Sequence, residues 1–184
     1  MITLTRTYTD SELDVARYIY MESFPAEERR EWADLIERSR KGEIALDLVK
    51  DDDRVIGLVT VWRLPQADYV EHFALDCSAR GKGVGSEIID LVVNRAADRA
   101  VVLEVEPAGT NSMAARRIGF YQRHGFGLID YEYMQPPYGC GLPWVRLMLM
   151  TTKPVDAEQV SRSLHRMVYG VSPDCGGSEV SHGA

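Results

Sequence analysis

The sequence predicts one α/β domain built on a mixed, largely antiparallel sheet that is flanked by helices. Short runs rich in β-branched and aromatic residues alternate with longer amphipathic runs along most of the 184 residues. The first strands are close together in sequence and the last two read as a hairpin, which favours antiparallel pairing. A strand, a glycine-rich turn and a helix follow one another at residues 69–93, and the other elements are organised around them.

The predicted strands share a high content of branched and aromatic side chains. They cover residues 2–8, 43–50, 55–63, 69–76 and 100–106, and a final hairpin joins 126–134 to 144–152. Asp51, Asp52 and Asp53 separate the second strand from the third. Because calcium loops need alternating ligands and a glycine, we interpret this triplet as a hairpin turn and expect no metal site.

Amphipathic spacing and end signals predict the helices. Thr9 and Glu12 form a capping box for the first helix. Pro25 ends that helix and starts the second, which would place Glu27 and Glu28 in its first turn.

Three later helices follow the same rules. One begins after the glycine-rich turn, one is capped by Asn111, and one precedes the C-terminal tail. We divide the chain into a domain of residues 1–155, an appended helix at 156–170 and a Gly- and Ser-rich tail at 171–184, which we expect to be disordered. The appended helix would pack on the domain or on a second copy, so a homodimer stays open.

Composition limits the classes of function. A hydrophobic content of 45% predicts a globular chain, and a net charge of -7 argues against a general nucleic-acid-binding protein. Cys77, Cys140 and Cys175 are scattered, so we expect neither a disulfide framework nor a zinc site. No apolar run has the length of a membrane span or reads as a signal peptide, and we therefore expect a cytoplasmic protein.

Residues 80–86 read Arg-Gly-Lys-Gly-Val-Gly-Ser and form what we call the cradle. Glycines let the backbone approach an anion, free amides at a helix N-terminus point outward, and Arg80 and Lys82 add charge, so we predict a pyrophosphate site. The string is not a P-loop, and its third glycine is misplaced for a dinucleotide fingerprint. Because Glu104 and Glu106 lie at about the right distance for a ribose acid, a nucleotide-dependent oxidoreductase stays open.

Two motifs carry a resemblance to a known family. The cradle resembles the Arg-Gly-x-Gly-x-Gly signature of the GCN5-related N-acetyltransferases (GNAT), and residues 120–126 resemble their Tyr-x-x-x-Gly-Phe signature. Residues 73–76 look like the family's fourth strand, and the resemblance covers roughly residues 2–152. It implies an acetyl-CoA-dependent N-acetyltransferase that acts on a primary amine of a small molecule or peptide by direct transfer in a ternary complex. The alternative is a non-catalytic acyl-CoA sensor of the same fold.

The resemblance also implies roles for single residues. The coenzyme A contacts would come from Phe73, Ala74, Leu75, Arg80, Gly81, Lys82, Gly83, Val84, Gly85, Ser86, Asn111, Arg116, Tyr121 and Arg123. In addition, a backbone N–H near Phe73 would hold the oxyanion, and the Tyr121 phenol would protonate the leaving thiolate. The strands of residues 69–76 and 100–106 would splay apart around the pantetheine arm.

The choice of base depends on strand alternation, which puts Glu71 on the side of Phe73 and His72 on the other side. The resemblance implies a base on this strand with the parity of Glu71, and a carboxylate in a partly dry cleft would have a raised pKa, so we predict Glu71 as the base. His72 and the glutamates of the neighbouring strand stay open as alternatives. The residues expected to contact the acceptor are Glu27, Glu28, His72, Glu104, Glu106 and Tyr138.

Overall fold

A computed structural model describes residues 1–139 and 141–171. In this part of the chain the sheet has eight strands. Seven of them follow the order β1-β2-β3-β4-β5-β8-β6, and the remaining strand, β7, pairs with β8. The strands are β1 (Ile2–Thr5), β2 (Ile44–Asp51), β3 (Arg54–Arg63), β4 (Ala67–Leu75), β5 (Ala100–Val105), β6 (Gly127–Leu128), β7 (Tyr133–Gln135) and β8 (Val145–Thr151). The β4–β5 pair is parallel and the others are antiparallel, which confirms the predicted mixed sheet.

The helices of the described residues are α1 (Asp10–Ser23), α2 (Trp32–Arg40), α3 (Val84–Ala96), α4 (Ser112–Arg123) and α5 (Ala157–Ser163). The capping box of Thr9 and Glu12 is present, and Asn111 caps α4. None of these helices is both long enough and apolar enough to cross a membrane. The predicted tail beyond Val171 lies outside the described residues, as do Cys140 and Cys175.

The second helix does not start where the sequence predicted. Ala26–Glu28 form a 3₁₀ turn, and α2 begins at Trp32. The reason is tertiary: the Arg30 backbone N–H donates to the Tyr20 hydroxyl at 3.0 Å, and the Arg30 guanidinium reaches into the sheet. Contacts with elements distant in sequence thus hold this segment out of the helix.

Three apolar clusters hold the layers together. One face of the sheet packs on α3 and α4 through Ile88 and Ile118, and the other face packs on α1 and α2 through Ile19 and Leu35. A third cluster joins the sheet to α5 through Val160 and Leu164. The C-terminal helix thus packs on the sheet of its own chain.

Strands β4 and β5 separate part of the way along their length. Ala67 to Val70 pair with Ala100 to Leu103, and both strands then continue without pairing to each other. The separation begins beside a bulge, since Thr60 pairs with His72, Val61 pairs with Val70, and Glu71 is left without a partner on β3. The resemblance implied this separation but gave no sign of the bulge.

The bulge makes the predicted alternation wrong. The extra residue puts Glu71 and His72 on the same face, where both contact Tyr138. Phe73 lies on the opposite face, against the apolar cluster of α3. Consequently, Glu71 does not share a side with Phe73.

Candidate functional site

The cradle has the geometry of an anion site. Gly81 and Gly83 have φ values of +75° and +81°, and a Cβ at either position would meet no atom of the described residues within 4 Å, so these residues leave the space in front of the turn open. In the described chain, the amides of residues 81–85 donate to no backbone carbonyl. Val84 begins α3, whose dipole adds positive potential to these free N–H groups.

The two cations of the cradle play different parts. Arg80 Nε donates to the Leu75 carbonyl at 2.9 Å, and its Nη2 donates to Ser23 Oγ at 3.3 Å. Arg80 therefore braces the turn against β4 and α1 while it supplies charge. Lys82 is exposed beside the open space.

One polar chain connects the cradle to α4. His124 Nε2 lies 3.0 Å from Ser86 Oγ, and His124 Nδ1 lies 2.7 Å from Asp90 Oδ1. His124 thus ties the end of α4 to the start of α3. This role was not predicted from the sequence, although the histidine stands inside the Tyr-x-x-x-Gly-Phe string.

The predicted residues of α4 are spread over its surface and its core. Tyr121 is buried, its ring lies 5.5 Å from that of Phe126, and burial raises the pKa of its phenol to about 12. Arg116 and Arg123 are exposed. Both polar atoms of Asn111 are engaged within the protein, since Oδ1 accepts from the Ala114 amide and Nδ2 donates to Glu106.

An acidic cavity of about 220 Å³ lies where β4 and β5 separate. All six residues predicted to contact the acceptor line it, together with Glu71. Its described lining includes the carboxylates Glu27, Glu28, Glu71, Glu104 and Glu106 against one guanidinium, that of Arg117. Such a lining favours a cationic ligand.

Glu71 is a fully buried anion with strong partners. Its carboxylate accepts from Arg30 Nε at 2.7 Å, from Trp62 Nε1 at 2.8 Å and from the Tyr138 hydroxyl at 3.1 Å. Burial alone would raise its pKa, but His72, Arg30 and Trp62 together lower it to about 2. The raised pKa that we expected for Glu71 is therefore wrong.

Glu104 is surrounded by phenols. It accepts hydrogen bonds from the hydroxyls of Tyr69 and Tyr169, both at 2.8 Å, and from the hydroxyl of Tyr133. Burial raises its pKa and exceeds the opposing effect of these donors. The pKa of Glu28 is raised as well, mainly by burial and then by Glu106.

His72 is held on both ring nitrogens. Nδ1 lies 3.3 Å from Thr60 Oγ1, and Nε2 lies 3.3 Å from the Glu28 carbonyl oxygen. Its ring packs against those of Phe24 and Tyr138. This histidine forms a packed wall of the cavity.

The Phe73 amide faces the gap between β4 and β5. Two amides of this strand, one residue before and three residues after Phe73, point to β3, since His72 donates to Thr60 Oγ1 and Asp76 donates to the Ile56 carbonyl. Because successive amides of a strand point to opposite edges, the Phe73 N–H points away from β3. A donor at this edge is what the predicted oxyanion site requires.

The cavity and the cradle lie at two ends of the same half-strand. Tyr121 and the cradle residues do not line the cavity. At about 3.3 Å per residue, the four steps from Glu71 to Leu75 span about 13 Å. The structure thus brings the predicted acceptor residues together at one end of this half-strand and the predicted anion-binding residues at the other.

Comparisons with known proteins agree with this geometry. The model of the acetyltransferase (GNAT) family matches residues 12–126, and a search among curated proteins gave no match. A solved GNAT-family protein from Bacteroides thetaiotaomicron is 37% identical, with a TM-score of 0.85 over 94% of this chain and 99% of that chain.

Two more distant structures share the fold. A Bacillus subtilis acetyltransferase in complex with CoA has a TM-score of 0.56 at 12% identity, over 84% of this chain and 98% of its own. A phosphinothricin acetyltransferase from Sinorhizobium meliloti in complex with AcCoA has a TM-score of 0.57 at 20% identity, over 85% and 94%. With the family model covering more than half of the chain, the protein belongs to the GNAT acetyltransferase family.

Proposed function

We propose that this protein is an acetyl-CoA-dependent N-acetyltransferase that acetylates a cationic primary amine by direct transfer in a ternary complex. The observation that carries the proposal is the arrangement along β4, which links a cradle of free amides to an acidic cavity. The cradle can hold a pyrophosphate and the cavity can hold an ammonium group. Both ligands would then meet where β4 and β5 separate.

Acetyl-CoA is the cofactor, and the residues present fit it. The cradle offers free amides, positive-φ glycines and an open approach, which are the properties that a diphosphate needs. The structural neighbours in complex with CoA and AcCoA support the same ligand. Ser86, Lys82 and the exposed arginines of α4 would add contacts to its phosphates. When bound, the cofactor supplies an acetyl thioester, whose C–S bond breaks as the C–N bond of the product forms.

We assign the proton acceptor to Glu104. The lowered pKa of Glu71 makes its carboxylate a weak base, and both nitrogens of His72 are engaged. Glu104 borders the same cavity and its pKa is raised, as a proton acceptor near neutral pH requires. Glu71 would instead keep its negative charge and help to attract the ammonium group.

Two further groups complete the mechanism. The Phe73 N–H would donate to the oxygen that becomes negative when the amine attacks the acetyl carbon. Tyr121, whose buried phenol is protonated at neutral pH, would give its proton to the departing sulfur. The ammonium group loses two protons in all: Glu104 takes the first before the nitrogen attacks and later releases it to solvent, and the second leaves the nitrogen after the attack and replaces, through solvent, the proton that Tyr121 gives to the sulfur.

A thiol-release assay with acetyl-CoA and a panel of amines tests the proposal. We expect free CoA to appear with amines that carry a positive charge and not with neutral nucleophiles of the same size. Glu104→Gln should lower kcat by about 100-fold, while Glu132→Gln, at a 95% exposed side chain, should leave it unchanged. Binding of acetyl-CoA without turnover on any amine would instead identify a sensor.

A further inference from the structure

The end of the C-terminal helix reaches the proposed site. Leu164–Val168 form a π-helical turn after α5, closed by a hydrogen bond of 3.1 Å from the Tyr169 amide to the Leu164 carbonyl. Turns of this kind often occur at functional sites because they redirect the residues that follow. Here the turn directs the Val168 carbonyl and the Tyr169 ring toward β4 and β5.

Val168 and Tyr169 contact the two buried carboxylates, Glu71 and Glu104, directly or through Arg30. The Tyr169 hydroxyl donates to Glu104 at 2.8 Å, so its contact with the proposed base is direct. The Val168 carbonyl accepts from the guanidinium of Arg30, whose Nε binds Glu71. Arg30 is almost wholly buried, so this carbonyl satisfies a donor that water does not reach.

Tyr169 is itself held in a network. Gln135 Nε2 donates to its hydroxyl at 2.9 Å, the Tyr69 hydroxyl lies 3.2 Å away, and its ring lies 5.1 Å from that of Tyr138. An oxygen with these neighbours is fixed in one orientation, and that orientation points its proton at Glu104.

We propose that Tyr169 is a positioning residue of the acetyl-transfer site, and that the segment from Ala157 to Tyr169 supports that site from behind its lining residues. The Tyr169 hydroxyl holds the Glu104 carboxylate toward the cavity in its ionised form. This inference rests on the proposed function, and it assigns a role to a part of the chain that lies beyond the family match, which ends at Phe126.

Tyr169→Phe tests the inference, because it keeps the ring and removes only the hydroxyl. Tyr131→Phe is the matched control, since Tyr131 is a half-buried tyrosine that packs on the same apolar cluster. We expect Tyr169→Phe to lower kcat/KM for the amine by about tenfold or more near neutral pH, with unchanged affinity for CoA.

The pH profile separates positioning from packing. Tyr69, Tyr133 and Tyr169 donate to Glu104, and Glu71 and Tyr138 lie close to it. Loss of one donor raises the pKa of Glu104, so the acidic limb of the profile should move to higher pH and the defect should shrink in alkaline buffer. A defect of the same size at every pH, or a profile like that of Tyr131→Phe, would overturn the inference.

A measurement without substrate keeps this result distinct from a failure of the proposed function. The Tm of both variants is compared between about pH 4 and pH 8, the range in which a buried carboxylate ionises. We expect the Tm deficit of Tyr169→Phe to grow with pH, because the hydroxyl stabilises the ionised Glu104. A deficit that does not change with pH would refute the positioning role, whether or not any amine is acetylated.

Discussion

At the scale of single residues, two carboxylates on the same cavity are prepared for different tasks. Glu71 has charged and polar partners that lower its pKa, whereas the described hydrogen-bond partners of Glu104 are phenols and its pKa is raised. Environments that push two pKa values apart are a common sign of separate acid–base roles. We therefore expect a substitution at Glu71 to lower mainly the stability of the protein and a substitution at Glu104 to lower mainly kcat.

Glu71→Gln should act mainly on stability. It leaves Arg30 buried without its anion, so the free energy of unfolding at pH 7 should fall by about 3 kcal/mol. Because the folded pKa of Glu71 is lowered, the ion pair contributes fully above the unfolded value of about 4.5 and is lost as the pH falls toward 2. The difference between wild type and variant should thus shrink over that range in urea unfolding.

The exposed Glu132→Gln variant is the control for Glu71→Gln, since its side chain has no buried partner. A stability difference between wild type and Glu71→Gln that stays constant down to pH 2 would mean that Glu71 is not ionised in the folded protein.

Tyr121→Phe should act on catalysis. The substitution removes the proposed proton donor but keeps a ring that packs beside Phe126. We expect kcat to fall about 100-fold, with the Kd for CoA changed by less than about twofold. A thiol-release assay measures kcat and calorimetry measures the Kd for CoA. Tyr18→Phe, at an exposed tyrosine, is the control. Equal kcat values for Tyr121→Phe and wild type would remove Tyr121 from the mechanism.

At the scale of elements, the cradle depends on backbone conformation more than on side chains. Gly42 and Gly83 offer a matched pair, because both are exposed glycines at positive φ, and in the part of the chain that is described no atom lies within 4 Å of a Cβ added to either. Alanine at either site should cost about 1 kcal/mol of stability. Only Gly83→Ala should weaken CoA binding, by about tenfold or more, since its methyl group enters the space in front of the free amides.

Thermal unfolding of the Gly42→Ala and Gly83→Ala variants checks the expected loss of stability, and calorimetry with CoA checks the expected loss of binding. If Gly42→Ala weakened CoA binding as much as Gly83→Ala, the loss would reflect general destabilisation and the cradle would not be the binding site.

Local rules predicted the elements whose shape is decided locally. The capping box at Thr9 and the cap at Asn111 involve residues three positions apart, and both are present. The bulge at Glu71 comes from the register of β4 on β3, which no local pattern encodes. For the same reason, the 3₁₀ turn before α2 was missed, since Arg30 is held by partners far away in sequence.

At the scale of the whole molecule, the site is assembled from both ends of the chain. Arg30 near the N-terminus, Glu71 and Glu104 in the middle, and Tyr169 near the C-terminus form one connected polar network. The residues predicted to contact the acceptor line a single cavity. They could be predicted because the family signatures indicate where β4 and β5 lie in the sequence. The C-terminal helix was predicted only as an appendage, because nothing in that helix's own pattern names its partner.

A core substitution in the C-terminal segment tests whether it belongs to the domain. Leu164 is fully buried and packs in one cluster with Trp62 of β3, so Leu164→Ala should lower the free energy of unfolding by about 2–5 kcal/mol. If the segment folds with the sheet, urea should give one transition at a lower midpoint, seen alike by tryptophan fluorescence and far-UV circular dichroism. Leu58→Ala, at a fully buried site of β3, should behave in the same way, and the exposed Leu128→Ala should change little. An early partial transition for Leu164→Ala, with the main midpoint unchanged, would mean that the segment unfolds by itself. The hydrogen bonds from the Tyr169 hydroxyl to Glu104 and from Arg30 to the Val168 carbonyl would then be lost without unfolding the domain, and acetyl transfer would fail at urea concentrations where the sheet is still intact.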